Sequence, residues 1–275
     1  MKQRLIVAAI GLPVLVGGTV LLPPWGMAVL AVIILTVGAG EFVHVTGSGS
    51  VKRVYLYTML SAAAIPLGTC FWNWESTARL AAVLLLLLLS FEMVLTRGRE
   101  KSVTFRDAAV CLLGGVGIPM VYASVVSLRM LEHGAVYVML GYCITMLSDT
   151  GAFFAGKLIG KHRPLPNVSP NKTTEGFAAS FLTCVISVLC FGLVIRHAFG
   201  IETDLLALLA YVLPCNLACQ LGDLFFSVVK RESGVKDFST ILPGHGGMFD
   251  RFDSQIFTVP VLYLMVLVIP AFGGA

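Results

Sequence analysis

Ser227 to Asp253 reads SVVKRESGVKDFSTILPGHGGMFDRFD. It packs Lys230, Arg231, Lys236 and Arg251 together with Glu232, Asp237, Asp250 and Asp253, and sets His245 between two glycine-bearing turns. In a soluble protein such a segment would pass without comment. Here apolar runs flank it over about 205–229 and 255–272, near the roughly 20 residues a helix needs to cross a hydrocarbon core. Charges of both signs pinned between two membrane spans point to a site that binds phosphate and a metal ion together.

The rest of the chain extends that setting. Of its 275 residues 57% are hydrophobic and only 12% charged, and the mean hydropathy is +0.90. That composition belongs to integral membrane proteins. The apolar runs are continuous, whereas barrel strands alternate over about 10 residues, so the spans are helices. The expected fold is all-α: a polytopic bundle of about nine transmembrane helices, over 5–22, 26–45, 54–72, 80–96, 108–128, 134–156, 176–195, 205–229 and 255–272. It forms one transmembrane domain over 1–275, with N-terminal helices to about 130 and the helices and loops that carry the chemistry over 134–275. MKQR could open a signal peptide, but no small-residue cleavage site follows and the run is long, so a first transmembrane helix is expected. The seven cysteines all lie within or at the ends of apolar runs and read as small buried hydrophobes rather than as disulfides or zinc ligands.

Basic residues orient the bundle. All of the 19 Lys and Arg except Arg79, Arg129 and Arg196 fall at the N-terminus or in the loops after spans two, four, six and eight. The positive-inside rule then places the N-terminus and the charged loops in the cytoplasm. The expected location is the cell membrane, multi-pass, with chemistry on the cytoplasmic side. The basic residues are scattered over short loops, which argues against a nucleic-acid partner.

Four acids interrupt the spans. Glu41 and Glu92 lie near cytoplasmic span ends and are expected to meet interfacial water or a Lys or Arg. Asp149 and Asp223 belong to larger polar groups. Asn216, Gln220, Asp223, Ser227 and Lys230 recur at steps of 4, 3, 4 and 3, one face of a helix. Such a stripe must face protein or a watery cavity. A seam between helices is one reading; because the stripe runs into the charged loop, a cavity wall is favoured.

In the sixth span, Thr145 and Asp149 share a face. Gly151 to Lys157 then reads G-x-x-x-x-G-K, but Leu158 follows and a membrane span precedes it, so a Walker A loop is rejected. Gly156 and Gly160 instead suit close helix packing. Ser169, Asn171, Lys172, Thr173 and Thr174 place phosphate-binding donors just before the seventh helix, whose N-terminus adds backbone N–H groups. In the opening stretch, Gly246 and Gly247 let backbone N–H groups approach a phosphate, and Asp250 with Asp223 could hold a divalent cation such as magnesium.

The residues from Ser227 through Lys230-Arg231, Lys236-Asp237, Ser239, Leu242-Pro243 and His245-Gly246-Gly247-Met248 to Asp250-Arg251-Phe252-Asp253 resemble the full signature of the phosphatidate cytidylyltransferases (CDP-diacylglycerol synthases). Ser169-Pro170-Asn171-Lys172-Thr173-Thr174-Glu175-Gly176 is similar to that family's other familiar segment, departing at Asn171 by the loss of a positive charge. The resemblance covers mainly the C-terminal half.

It implies transfer of CMP from CTP to phosphatidate, giving CDP-diacylglycerol and pyrophosphate, with CTP, phosphatidate and the bilayer as partners. It also implies a Mg2+ ion, leaves room for a second cation, and is compatible with a homodimer. The expected metal ligands are Asp223 and Asp250, with Asp149 as a further candidate. Lys230, Arg231, Lys236, Asp237, His245, Arg251 and Asp253 join the two acids as expected catalytic residues. Ser169, Lys172, Thr173, Ser227, Gly246 and Gly247 are the expected substrate contacts. Two rivals stay open: a CTP-dependent kinase of a membrane lipid alcohol, and a transporter for ions or phosphate. Charge gathered on one face, and hydropathy without an inverted repeat, argue against the transporter.

Overall fold

The computed structural model describes residues 2–48 and 51–273, with side chains from residue 11 onward apart from Leu12. The expected cytoplasmic anchors Lys2 and Arg4 fall among the residues whose side chains lie outside that description. The described residues form nine long helical segments and no extended strand. These are α1 (Lys2–Leu21), α2 (Pro24–Val45), α3 (Lys52–Phe71), α4 (Trp74–Leu95), α5 (Phe105–Met130), α6 (Gly134–Ile159), α7 (Thr174–Phe199), α8 (Leu205–Glu232) and α9 (Phe249–Val268). Segments α2 to α9 are each long and apolar enough to cross a membrane. The protein is an all-α polytopic membrane protein, as its hydropathy requires.

Local chemistry sets the helix ends, and it moves several of them away from the hydropathy boundaries. α2 opens on Pro24, which has no N–H to leave unpaired in the first turn. α4 starts at Trp74 rather than near residue 80. The Asn73 side chain accepts from Ser76 N (3.2 Å), and Glu75 pairs with Arg79 (2.7 Å), giving a polar first turn that a hydropathy window passes over. α5 begins with a capping box between Thr104 and Asp107, then widens into a π turn over Leu113–Gly117. α9 starts at Phe249, not near 255, so Asp250, Arg251 and Asp253 lie in its opening turns instead of in the loop.

The chain divides into two compact units: Met1–Ser127 with Val229–Phe252, and Leu128–Val228 with Asp253–Ala275. Residues 229–252, grouped with the C-terminal helices on sequence order, belong in space with the N-terminal ones. In this first unit α3 packs against both α2 and α4, around a core that includes Val43, Val54, Ile65, Leu85, Leu89 and Cys111. Residues 229–252 are tied to α2 by hydrogen bonds to Glu41, which outweigh nearness along the chain.

In the second unit α6 and α7 pack along one another. Small residues line the seam, and a methyl group added at Gly176 would lie 2.7 Å from the Ala152 carbonyl oxygen and 3.5 Å from Gly156 Cα. Close approach at Gly156 is therefore realised. The far end of the unit is closed by Tyr137, whose hydroxyl accepts from Ala271 N (2.8 Å) and Phe272 N (3.0 Å), and by Tyr211, whose hydroxyl donates to the Ile269 carbonyl. All seven cysteines are free.

Gly176→Val should force backbone apart at the α6–α7 seam, because the carbonyl in its way cannot rotate aside. Overpacking of this kind costs about 1–3 kcal/mol. A clear fall in the thermal midpoint of the detergent-purified protein is expected, whereas Ala178→Val on the same helix should change it little.

Candidate active site

The second unit builds its polar group on α6, α7, α8 and the segment between α6 and α7. Asn216 Oδ1 accepts from Ser148 Oγ (3.1 Å) and Ser180 Oγ (3.2 Å), and Gln220 Nε2 donates to Ser148 Oγ (3.4 Å). Asn216 and Gln220 are buried. This stretch of the polar stripe is thus a hydrogen-bonded seam between helices, the reading that ranked second on sequence. Further along α8 the stripe does become a cavity wall. Gln220 and Asp223 line a cavity of about 390 Å³ together with Asp149, Ser169, Lys172, Thr173 and Gly176.

Inside that cavity Lys172 is held from α8: its Nζ lies 2.7 Å from Asp223 Oδ2 and donates to Gln220 Oε1 (3.3 Å). Ser227 Oγ donates to Asp223 Oδ1 (3.4 Å). Asp149 lies within reach of Cys219 Sγ (3.7 Å) and Ser254 Oγ (3.4 Å). Thr173, expected as a substrate contact, caps α7 by accepting from Gly176 N (3.1 Å). The chain before it is fastened by Glu175, which accepts from the His162 backbone N–H and lies 2.6 Å from His162 Nδ1.

The first unit holds the rest of the motif. Asp250 is buried, and both its oxygens are engaged. Oδ1 meets Lys230 Nζ at 2.7 Å, while Oδ2 accepts from Phe238 N (2.7 Å) and Gly247 N (2.8 Å). Lys230 also sits 5.4 Å from the Phe238 ring centroid, a cation–π distance. A single carboxylate thereby ties the end of α8, the loop and the start of α9. The loop lines an open cavity of about 440 Å³ bordered by Lys236, Asp237, Ser239, His245, Gly246 and Arg251, among others. Gly246 takes φ +86°, a conformation open to glycine and strained for other residues, and its carbonyl accepts from Leu242 N (2.9 Å) to close the turn. His245 Nδ1 is buried with no hydrogen-bond partner among the described residues. Arg231 Nη1 donates to the Val235 carbonyl (3.2 Å).

The expected residues therefore fall into two sets. Asp149, Ser169, Lys172, Thr173, Asp223 and Ser227 belong to the second unit, together with Asp253, whose Oδ1 accepts from Ser254 N (2.8 Å). Lys230, Arg231, Lys236, Asp237, His245, Gly246, Gly247, Asp250 and Arg251 belong to the first. The sequence reading passed over Ser148, Ser180 and Ser254, small hydroxyls on apolar helices that become informative only once a partner faces them. Glu41 was expected to meet interfacial water or a cation; instead it accepts from Ser239 Oγ, Met248 N and Phe249 N. Glu92 does follow expectation, with Oε1 3.2 Å from Arg53 Nε.

No cluster of three His, Cys, Asp or Glu side chains converges as a ready metal site among the described residues. A magnesium ion that completes its shell with substrate phosphate needs only one or two carboxylates. Asp149 and Asp223, lining one cavity, meet that requirement. Lone-pair capacity also remains on Asp250 Oδ1 beside Lys230.

Long apolar helices, a buried Lys230–Asp250 pair and a half-buried Lys172–Asp223 pair define an α-helical integral membrane protein with paired charges among its helices. Its family follows from comparison with known proteins: a model of the "Cytidylyltransferase family" matches residues 2–269, and the chain belongs to that family. It is 32% identical to a phosphatidate cytidylyltransferase of Staphylococcus haemolyticus, over 97% of this chain and 99% of the relative. It is 33% identical to one from Staphylococcus aureus over the same shares, and 36% identical to one from Staphylococcus saprophyticus over 71% and 72%. The chain is a nucleotidyltransferase.

Lys230→Met should leave the Asp250 carboxylate buried and unpaired. Breaking one side of a buried pair costs about 3–5 kcal/mol, so the thermal midpoint should drop sharply. Adding Asp250→Asn to that variant should recover part of the loss, since the neutral amide no longer needs a cation.

Proposed function

We propose that this membrane enzyme transfers CMP from CTP to phosphatidate, giving CDP-diacylglycerol and pyrophosphate. The observation that carries the reading is the loop cradle. Its glycine turn, Lys236, Arg251 and His245 border a cavity on a backbone clamped by Asp250. Fixed cations on a clamped loop suit a triphosphate, and we assign the cradle to CTP; the Gly247 N–H, expected to approach a phosphate, donates to Asp250 instead. Its full-length likeness to the phosphatidate cytidylyltransferases supports the same substrates.

The chemistry needs charge neutralisation more than a protein nucleophile. A phosphatidate oxygen attacks the α-phosphorus of CTP, and pyrophosphate leaves. Both reactants are anions, so fixed cations lower the barrier by cancelling their repulsion and the charge on the leaving group. The phosphomonoester is itself an adequate nucleophile, and its acyl chains remain in the bilayer. Lys236 and Arg251 bind triphosphate oxygens. Lys172, paired here with Asp223, would be freed for a phosphate oxygen if a divalent cation bound that carboxylate.

Magnesium is the proposed cofactor, with Asp223 as its principal ligand and Asp149 in the same cavity; the motif's resemblance assigns Asp250 to a cation as well. Bound there, the ion would supply electrostatic stabilisation of the phosphate charge. The positive-inside pattern supports placing the charged loops at the cytoplasmic face, where CTP is available.

Purified protein given CTP, magnesium and phosphatidate should release pyrophosphate. Release of CDP with a lipid alcohol as acceptor would instead identify the kinase. Asp223→Asn should lower kcat by roughly a hundredfold or more, the scale for loss of one transition-state charge contact. Magnesium titrations of Asp149→Asn and Asp250→Asn then separate the acids: a raised magnesium requirement marks a ligand, and an unchanged one removes that residue from the metal assignment.

A further inference from the structure

Glu41 lies on α2, far along the chain from the loop and outside the signature motif. It is buried, and both carboxylate oxygens point at the cradle. Oε1 accepts from Ser239 Oγ (2.6 Å) and from Met248 N (2.9 Å), and Oε2 accepts from Phe249 N (3.1 Å). Two of these donors are backbone groups at the start of α9, where the helix leaves N–H groups unpaired and carries partial positive charge. The third donor fixes the middle of the loop. α2 also makes room for the helix start, because Gly38 has no Cβ where the Phe249 ring lies. Gly247 is closed against Glu41 in the same way: a methyl group there would meet the carboxylate.

We infer that Glu41 is a positioning residue for the CTP cradle, acting through the loop without touching substrate. The inference rests on the assignment of that cradle to CTP. Asp250 grips the loop at Phe238 N and Gly247 N, and Glu41 grips it at Ser239, Met248 N and Phe249 N. The two carboxylates alternate along the same two stretches of chain, 238–239 and 247–249. Between those fixed stretches hang Leu242 to Gly246, including His245. A membrane span with an interior carboxylate normally declares a functional role, and neutral donors around Glu41 make that role structural support of the loop rather than charge pairing.

The test compares Glu41→Gln, Ser239→Ala and their double variant in the full-length protein. Gln keeps an acceptor at one terminal atom but sets an N–H2 group where an acceptor stood, so one side of the grip is lost while side-chain volume is kept. Removing a charge-assisted hydrogen bond should raise KM for CTP roughly ten- to hundredfold. KM for phosphatidate should stay within about twofold, because the loop's cations face the nucleotide. Amide hydrogen exchange should rise in the 236–250 segment and stay unchanged in α3 and α4. Ser239→Ala should have a smaller effect, and the double variant should fall short of the product of the two, since both act through one contact.

Three results would overturn the inference: an unchanged CTP KM, unchanged exchange in 236–250, or exchange rising equally throughout the first unit. If the wild-type protein released no pyrophosphate from CTP, the proposed function would fail instead, and the exchange measurement alone would judge the clamp.

Discussion

Buried backbone polarity between two long apolar helices is the constraint on which this structure depends. A loop packed against helices carries buried N–H groups that must find protein acceptors. Here buried carboxylates satisfy them. Asp250 accepts from two loop amides and from Lys230, and Glu41 accepts from two amides at the start of α9 and from Ser239. Each acid would be costly to bury alone. Held by several donors, each instead fixes a stretch of chain that has no regular secondary structure of its own.

The same logic shapes the second unit, with different groups. Where α8 meets α6 and α7, amides and hydroxyls answer one another: Asn216, Gln220, Ser148 and Ser180. Toward the cavity the partners become charged, and Lys172 bridges Gln220 and Asp223. One helical stripe thus changes from seam to cavity wall along its length. The change follows what faces it, small hydroxyls at one level and a loop bearing a lysine at the next.

Much of this was legible in the residues. Continuous apolar runs and the placement of Lys and Arg identified a helical membrane protein, and the stripe at Asn216, Gln220 and Asp223 identified a helix face that meets polar partners and a cavity. The motif from Ser227 to Asp253 identified the cytidylyltransferase family to which the chain belongs. The ends of α4 and α9 were misplaced because hydropathy counts polar residues as loop, whereas Asn73, Glu75 and the acids near Phe249 make polar helical turns. Ser148, Ser180 and Glu41 were not legible as contacts. A hydroxyl or carboxylate on an apolar helix states a need for a partner, not which partner.

That difference separates what each level decided. Hydropathy and short-range spacing are properties of neighbouring residues, so the amino-acid sequence alone determined the membrane class, the helices and the polar motif. One of the loop's two carboxylate anchors lies on a helix about two hundred residues away, Glu41 with Ser239 and Met248. Only the tertiary structure chose it. It also assigned residues 229–252 to the N-terminal helices, because buried amides must be paired by whichever acceptor the packing brings within reach, and here that acceptor is on α2.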